Sequence, residues 1–348
     1  MTTQPTRTNS KVEAASIRDV ARAASVSTAT VSRVLNGTAK VSAPITMRVE
    51  KAVRDLGYRP NRFARGLITR RSHVLGVALP DVHGEFYSEL IKGADVAARR
   101  LGYHLLVTSL GPVEGEAHPR SADALGFVDG AIIMISEPDE ALLEDALQFE
   151  RPVVVVDRDL HEQGLSSVVA DNLPGSQEAI EHLFGQVAPG RCWFVGGPED
   201  NFDTAQRAAI FKRLYEAHPD ARSSKDRMHF GEYTVDWGHA WGMRAAGDGR
   251  LRGAGVMCAN DEIAYGVILA AREQGLGAPD DFLIIGFDDS RLAGLIRPGL
   301  TSVHVPIARI GAAAVETLVD AIEGGHEGVR CVHVPTHLVV RETSVRLS

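Results

Sequence analysis

The stretch VSTATVSRVLNG, residues 26–37, decides the fold of the N-terminal part of the chain. At helical spacing it places Val31, Val34 and Leu35 on one side, and small polar residues with a single arginine on the other. Ser27 can cap this helix, and the closing Asn-Gly pair can end it. An outer face this small and polar suits close approach to a partner rather than burial in a core.

Two further helices are predicted on either side of this one. The first follows Ser16, a candidate cap, and the third follows Ser42, carries Pro44 in its first turn and ends at Gly57. A helix, a short turn, a second helix and a packing third helix form a helix-turn-helix domain, predicted over residues 16–58. A plain three-helix bundle with a polar outer face is the alternative. The apolar stripe of the first helix consists of Ile17, Val20, Ala21 and Ala24.

In a helix-turn-helix domain the second helix lies in the DNA major groove. Thr28 and Ala29 stand at its N-terminus, where base contacts concentrate, and Arg33 lies one turn further on, able to reach guanine O6 and N7. We therefore predict that these three residues read bases. Phosphate contacts that position the helix without reading sequence are expected from Ser27, Thr30 and Asn36.

The charge distribution supports a nucleic-acid partner for this head alone. Residues 1–71 hold 14 Lys and Arg against four Asp and Glu, whereas the rest of the chain holds 23 against 41. A basic head on an acidic chain indicates that only the head meets a polyanion, the alternative being a solvated basic tail. Residues 1–15 are polar and without an apolar segment, which predicts a disordered tail rather than a secretory signal, and a cytoplasmic protein.

Residues 59–72 form an arginine-rich link between the head and the body. Asn61 could cap a short helix through Leu67, which is too short to be stable alone and therefore suits folding on binding. Leu67 is a candidate wedge that enters the minor groove and kinks the duplex. A flexible linker, with Leu67 packed on its own domain, is the alternative.

From Ser72 onward short apolar runs alternate with helical patterns, which predicts parallel sheets covered by helices on both faces. The number of runs favours two such sheets rather than one. The fold class is therefore α/β, with a three-helix head and a body of two α/β subdomains. The clearest apolar runs are residues 74–79, 104–108, 130–135, 152–156, 191–195, 255–259 and 282–286.

Polar residues directly after these strands mark a binding cleft, because ligands of open α/β sheets lie beyond the carboxyl ends of the strands. Carboxylates, an amide, an arginine and a flat indole suit a sugar, whose hydroxyls take paired hydrogen bonds and whose ring stacks on an aromatic face. The alternative, most open for Asp81 and Asp289, is that each acid caps the next helix or shapes its loop. The candidate effector ligands are Asp81, Asp157, Arg158, Arg207, Trp237, Asn260 and Asp288, and Trp237 is expected in a loop over residues 233–237.

Several other functions lack support in the sequence. It contains no GxGxxG, no GxxxxGK[ST] and no GxSxG, its histidines are scattered, and no catalytic residues or cofactor are predicted. Its three cysteines stand far apart with no zinc spacing, which predicts reduced, buried thiols and no metal. No apolar run is long enough to cross a membrane.

From Ser16 onward nearly the whole sequence resembles the LacI/GalR family of bacterial transcription regulators, most specifically in the head. The similarity is carried by residues 17–37, by GYRPN at 57–61, by ARGL at 64–67, and by DR at 157–158, DN at 171–172, NDE at 260–262 and GFDD at 286–289. This resemblance implies a periplasmic-binding-protein-like body with crossover strands between its subdomains. It also implies a dimer whose paired hinge helices enter the centre of a palindromic operator, with Leu67 as the wedge.

The resemblance also implies boundaries and ligands. The first subdomain is expected over about residues 73–170 plus 303–328, and the second over about 171–302 plus 329–348. Many members carry an Asn-Pro-Phe-Phe-like run after the first body strand, where this chain has Gly84-Glu-Phe-Tyr87. Phe86 can still stack on a ligand, while Glu85 adds a carboxylate and argues against a strongly anionic effector. The short C-terminal segment leaves no room for a tetramerising helix, so a homodimer is expected.

Together these features predict a DNA-binding transcription regulator, a repressor whose operator affinity is controlled by a mono- or oligosaccharide. The sequence does not indicate whether the effector induces or corepresses. The main alternative is a cytoplasmic sugar-binding or sugar-modifying protein with an appended basic head, and another is an architectural DNA binder without an effector.

Overall fold

The computed structural model describes residues 15–36, 41–58, 71–82, 84–110, 125–219, 223–325 and 328–345. The chain divides into two compact units, Met1–Ser72 and His73–Ser348. Most of the predicted tail, and the predicted hinge helix with Leu67, lie outside the described residues.

The first unit contains helices α1 (Ile17–Ala23), α2 (Thr28–Asn36) and α3 (Ala43–Asp55). Ser16 caps α1 through a reciprocal capping box with Asp19, whereas Ser42 precedes α3 without a side-chain cap. One residue from each helix, Val20, Val31 and Val49, is completely buried in a shared core. The predicted apolar stripes therefore face each other, and the head has the predicted three-helix arrangement.

The second unit alternates strands and helices. Its described strands are β1 (Val74–Leu79), β2 (His104–Ser109), β3 (Gly130–Met134), β4 (Val153–Val156), β5 (Ser166–Asp171), β6 (Cys192–Gly196), β7 (Met228–Phe230), β8 (Gly255–Cys258), β9 (Leu283–Asp288), β10 (Thr301–His304), β11 (Cys331–Pro335) and β12 (His337–Val339). Its described helices are α4 (Glu85–Arg100), α5 (Glu140–Gln148), α6 (Asn172–Phe184), α7 (Phe202–Glu216), α8 (Val235–Gly247), α9 (Asp261–Glu273), α10 (Arg291–Leu295) and α11 (Ile307–Glu323). Among the described helices, none combines the length and apolarity that crossing a bilayer requires.

The strands form two sheets, as predicted. The first has the order β11-β5-β4-β3-β1-β2 and the second the order β12-β10-β9-β8-β6-β7. The described pairings are parallel except for β12, which runs antiparallel to β10. The chain crosses between the sheets after β5, after β10 and after β11, so each subdomain is built from separate segments of the chain.

One expected boundary is wrong. We predicted residues 329–348 in the second subdomain, but β11 pairs with β5, with Cys331 opposite Ser167, and belongs to the first sheet. The reason is that the last crossover comes only after Pro335, where β11 ends and the chain passes to β12.

Helices pack closely at glycines in both subdomains. A Cβ on Gly93 of α4 would collide with the backbone of Ala308, and one on Gly311 of α11 would collide with Leu90 O. Gly238 of α8 and Gly266 of α9 meet in the same way in the second subdomain. These glycines therefore allow backbone-to-backbone contact between one pair of helices in each subdomain.

Candidate DNA interface and effector cleft

The outer face of α2 presents the side chains predicted to read bases. Thr28, Ala29 and Arg33 are exposed, while Val31 on the opposite side is completely buried. Ser27 caps the helix: its Oγ accepts a hydrogen bond from the Thr30 N–H at 3.1 Å. Since its hydroxyl also lies 2.9 Å from Thr30 Oγ1, these two residues hold the first turn together and present it at the surface.

Asn36 ends α2, but its side chain lies outside the described residues. The roles of Ser27, Thr30 and Asn36 toward phosphate, and of Leu67 toward the minor groove, therefore stay predictions.

A cavity of about 1910 Å³ lies between the two subdomains of the second unit. Asp157 follows β4, Asn260 follows β8, and Asp288 ends β9, so the cavity is at the carboxyl ends of the strands as predicted. Five of the predicted ligands line it, namely Phe86, Asp157, Arg207, Asn260 and Asp288.

Arg207 is the most constrained side chain of the cleft and is 3% exposed. Its Nε donates to Asn172 Oδ1 at 2.9 Å, its Nη1 to Ala259 O at 2.6 Å and its Nη2 to Asp203 Oδ2 at 2.8 Å. Its guanidinium carbon lies 3.7 Å from the centroid of the Phe287 ring, a cation–π contact. Three of five N–H groups are engaged, so the guanidinium is held rigidly with donor capacity left for a ligand.

Two carboxyl groups that face this arginine have raised pKa values. Burial, followed by the Asp203 carboxylate, raises the pKa of Asp157 to about 7, against the charge of Arg207. Burial raises the pKa of Asp288 well above its ordinary value, while Arg207 opposes the shift. Near neutral pH Asp157 can therefore both donate to and accept from hydroxyls.

The same two aspartates adopt left-handed backbone conformations. Asp157 has a φ of 80° and Asp288 a φ of 98°, values that non-glycine residues rarely adopt. Asp157 directly follows β4 in the first subdomain, and Asp288 is the last residue of β9 in the second. At each of these two residues the unusual backbone conformation turns the chain at the cleft, and both residues line the cavity.

Asn260 and Asp289 also have structural roles, and for Asp289 this agrees with the alternative interpretation as a loop residue. Asn260 caps α9, since its Oδ1 accepts from the Ile263 N–H at 2.9 Å, and it lines the cavity as well. Asp289 holds its loop: its carboxylate accepts from Arg341 Nη2 at 2.6 Å and lies 3.0 Å from His304 Nδ1.

Three predicted ligands do not line the cavity. Asp81 is exposed and accepts a hydrogen bond from the adjacent Val82 N–H at 2.6 Å. The guanidinium carbon of Arg158 lies 4.4 Å from the centroid of the Phe202 ring, a cation–π contact, and the residue does not line the cavity. Trp237 lies in the first turn of α8, not in a loop, and its Nε1 donates to Gly196 O at 2.9 Å.

Two tyrosines that were not predicted, Tyr233 and Tyr87, contribute aromatic rings to the cavity wall. Tyr233 lines the cavity, its OH donating to Asn201 Oδ1 at 3.2 Å and lying 2.7 Å from Thr204 Oγ1. Tyr87 lines it beside Phe86, and burial together with nearby carboxylates raises the pKa of Tyr87 to about 12. The signal that could have found Tyr233 is its position in the same strand-to-helix loop that suggested Trp237.

Glu85 connects the two subdomains at the cavity wall. Its Oε1 accepts a hydrogen bond from the backbone N–H of Arg291 at 2.7 Å. Glu85 begins α4 of the first subdomain, and Arg291 begins α10 of the second. The carboxylate expected near the cleft is therefore present and bridges it.

A helix-turn-helix head joined to a two-subdomain binding body defines the class of ligand-responsive transcription regulators. Residues 16–61 match the family model "Bacterial regulatory proteins, lacI family", and residues 194–344 match "Periplasmic binding protein-like domain". The chain belongs to the LacI family of bacterial regulatory proteins, and the resemblance inferred from the sequence is confirmed.

Two curated relatives align over nearly the full length. Catabolite control protein A of Priestia megaterium is 32% identical over 330 residues, 94% of this chain and 98% of its own. The ribose operon repressor of Halalkalibacterium halodurans is 32% identical over 332 residues, 94% of this chain and 96% of its own. These relatives are transcription regulators rather than enzymes, in agreement with the prediction that this chain is not an enzyme.

Solved structures share the fold. The lac repressor dimer bound to operator and an anti-inducer superposes with a TM-score of 0.84 at 24% identity, over 96% of this chain and all of that one. A complex of the transcriptional regulator CelR with cellobiose gives a TM-score of 0.69 at 27% identity, over 94% of this chain and 99% of that one. The predicted fold class is confirmed, and the protein is a DNA-binding transcription regulator.

Proposed function

We propose that this regulator is a cytoplasmic repressor that binds a palindromic operator as a homodimer. A neutral saccharide, as effector, lowers or raises its affinity for the operator. The observation that carries the sensor half is the buried Arg207, which Asp203 holds in the cavity close to the carboxyl groups of Asp157 and Asp288. The alternative of a sugar-modifying protein is not favoured, because the relatives are regulators.

The chemistry of the cavity fits polyols. Arg207 offers fixed N–H donors, Asp157 offers a carboxyl group that can exchange donor and acceptor roles near neutral pH, and Asp288 adds a second carboxyl group to the cavity. Phe86 and Tyr233 supply ring faces on which the apolar side of a pyranose can stack. The names of the ribose operon repressor and of the CelR–cellobiose complex point to the same class of ligand.

The DNA half rests on the exposed face of α2. Thr28, Ala29 and Arg33 read bases in the major groove, while Ser27, Thr30 and Asn36 set the position of the helix against phosphates. Leu67 enters the minor groove at the centre of the operator. The exposure of Arg33 beside the completely buried Val31 supports this orientation of the helix.

Effector and operator are coupled through the body. Because the cavity is lined by both subdomains, a ligand that contacts both changes their preferred separation, and with it the positions from which the two heads of a dimer are presented. Such coupling is reciprocal, and a typical coupling of about 1–3 kcal/mol changes operator affinity by roughly 5–150-fold.

The test is operator binding by fluorescence anisotropy across a panel of neutral mono- and disaccharides. We expect at least one sugar to change operator affinity, and Asp157→Asn, which keeps the shape of the side chain, to reduce that response. The matched control is Asp280→Asn, an exposed position outside the cavity, which should respond as the unmodified protein does. If the protein binds the operator but no sugar in the panel changes its operator affinity, the proposed sugar sensing is refuted. Turnover of a bound sugar would favour the alternative of a sugar-modifying protein.

A further inference from the structure

A cluster of metal-ligating side chains lies at the edge of the first sheet. One ligand atom each of Asp159, Cys331 and His333 lies within 4.8 Å of the other two. Asp159 lies in the loop after β4, and the other two stand on β11, the edge strand separated from β4 by β5 alone. The ligands therefore come from two distant parts of the chain that the sheet brings together.

Two of the three side chains, those of Cys331 and His333, lie on the same face of β11. Cys331 and His333 are two residues apart, so their side chains leave β11 on the same face. Val332 and Val334, on the other face, pack into the core of the body. The face of β11 that points away from this core thus carries a thiol and an imidazole side by side, next to the Asp159 carboxylate.

The carboxylate is already held in place. Its Oδ1 accepts from the His161 backbone N–H at 3.1 Å and lies 2.7 Å from His161 Nδ1. Asp159 and His333 are exposed and Cys331 is half-buried, so a cation has a path from solvent. This half-exposure also corrects the expectation of buried thiols, which is met by Cys192 and Cys258 but not by Cys331.

We propose that Asp159, Cys331 and His333 form a site for a borderline-soft divalent ion of the zinc class, with His161 as the positioning residue. A thiol and an imidazole select such an ion over magnesium or calcium, which prefer oxygen ligands. Tetrahedral coordination by sulfur and nitrogen needs ligand atoms roughly 3.5 Å apart, within a small side-chain adjustment of the present separation. On binding, the Cys331 thiol loses its proton to solvent and water completes the coordination.

The expectation of no metal rested on spacing along the sequence, and spacing does not reveal ligands joined only by strand order. A bound ion would tie β11, which leads directly into the last crossover, to the loop after β4. We therefore expect the ion to stabilise the folded body and to raise its melting temperature.

The probe is cobalt(II), with zinc(II) as competitor, added to the full-length reduced protein. We expect one equivalent to give tetrahedral ligand-field bands and a thiolate-to-cobalt charge-transfer band, both removed by zinc. Cys331→Ser should abolish the charge-transfer band, His333→Gln should abolish tight binding, and His161→Gln should weaken binding by roughly 10–100-fold.

The matched control is His239→Gln. His239 Nε2 lies 3.1 Å from Glu273 Oε1 at an exposed site, a comparable histidine–carboxylate pair without a thiol. Cobalt spectra unchanged in this variant support the proposal. Binding without a charge-transfer band, bands that persist in Cys331→Ser, or no stoichiometric binding would overturn it. If Cys331→Ser misfolds, the folded His333→Gln variant serves as the test. Loss of tight cobalt binding in that variant supports the site, and retained tight binding overturns it.

Discussion

Arg207 and Asp203, one turn apart on α7, form an ion pair of 2.8 Å whose side chains are only 3% and 14% exposed. Removing one member of a buried pair is strongly destabilising, because the other charge stays behind without its partner. Asn172 binds both residues, since its Oδ1 accepts from Arg207 and its Nδ2 donates to Asp203 Oδ1 at 2.7 Å. The arginine that we propose as an effector ligand is therefore also part of the framework of the cleft.

We predict that Arg207→Ala lowers the free energy of unfolding by about 3–5 kcal/mol, the usual cost of breaking a buried ion pair. Urea unfolding of the isolated protein measures this directly. Arg213→Ala, an exposed arginine on the same helix, should change stability by no more than about 0.5 kcal/mol. Equal stability of the two variants would show that the network around Arg207 is not structural.

The sequence predicted the parts of the fold that depend on local patterns. The buried strands β1, β3, β4 and β8 are continuous apolar runs, and the helices of the head show clear apolar stripes. Strands β5, β7, β10, β11 and β12 were not among the identified runs. Those strands are short or carry polar residues, and β11 at the sheet edge buries only one of its five residues.

The candidate site was predicted less completely, for a physical reason. Residues directly after a strand are recognisable, so Asp157, Asn260 and Asp288 were found. The partners of Arg207 were not found, because Asn172 begins a different helix and Asp203 precedes the arginine by one helical turn. Trp237 was misplaced because its indole N–H is used by the backbone of Gly196, a contact that spacing does not reveal.

Stability should depend on the ionisation of Asp157. The pKa of Asp157 is about 7 in the folded protein, against an ordinary value of 3.8, so the folded state binds more protons between these values. Stability therefore falls as pH rises through this window, by up to about 1.4 kcal/mol per pH unit for one proton. Asp157→Asn should flatten this part of the profile, as measured by urea unfolding from about pH 5 to about pH 8.

Asp261 provides the control for this pH effect. Its pKa is also raised to about 7 by burial, against hydrogen bonds from Ser302 and Ser290, so part of the slope should persist in Asp157→Asn. If the profile of Asp157→Asn coincides with that of the unmodified protein, Asp157 does not carry a proton in the folded state at neutral pH.

Backbone contact between α4 and α11 predicts that Gly93→Ala is destabilising. The added methyl group would meet the backbone of Ala308, which can move only if the helices separate, at a typical cost of about 1–3 kcal/mol. Gly247→Ala, at the end of α8 with open space around the new Cβ, should leave the melting temperature unchanged or raise it. Comparable melting temperatures for both variants would mean that the helices do not pack through Gly93.

Arg33→Ala should lower operator affinity by roughly 1–3 kcal/mol and relax the preference at one base pair in each half-site. The measurement is anisotropy against an operator and against variants substituted at single base pairs. Lys51→Ala is the control, because Lys51 is an exposed cation on α3 that pairs with Asp55 at 3.3 Å. A uniform loss of affinity for all sequences in Arg33→Ala would assign this arginine to phosphate instead.

Glu85 should set the charge preference of the cleft. Its carboxylate bridges to the Arg291 N–H at the cavity wall, where an acidic ligand would meet like charge. We expect a neutral sugar to bind more tightly than its uronic acid, and Glu85→Gln to reduce that difference roughly five-fold, corresponding to about 1 kcal/mol of repulsion. Glutamine keeps an oxygen acceptor for Arg291, so the bridge is retained while the charge is lost. Calorimetry with both sugars measures the effect. The control is Asp95→Asn, on the same helix but outside the cavity, which should not change the preference. An unaltered preference in Glu85→Gln would mean that other carboxyl groups of the cavity discriminate between the two sugars.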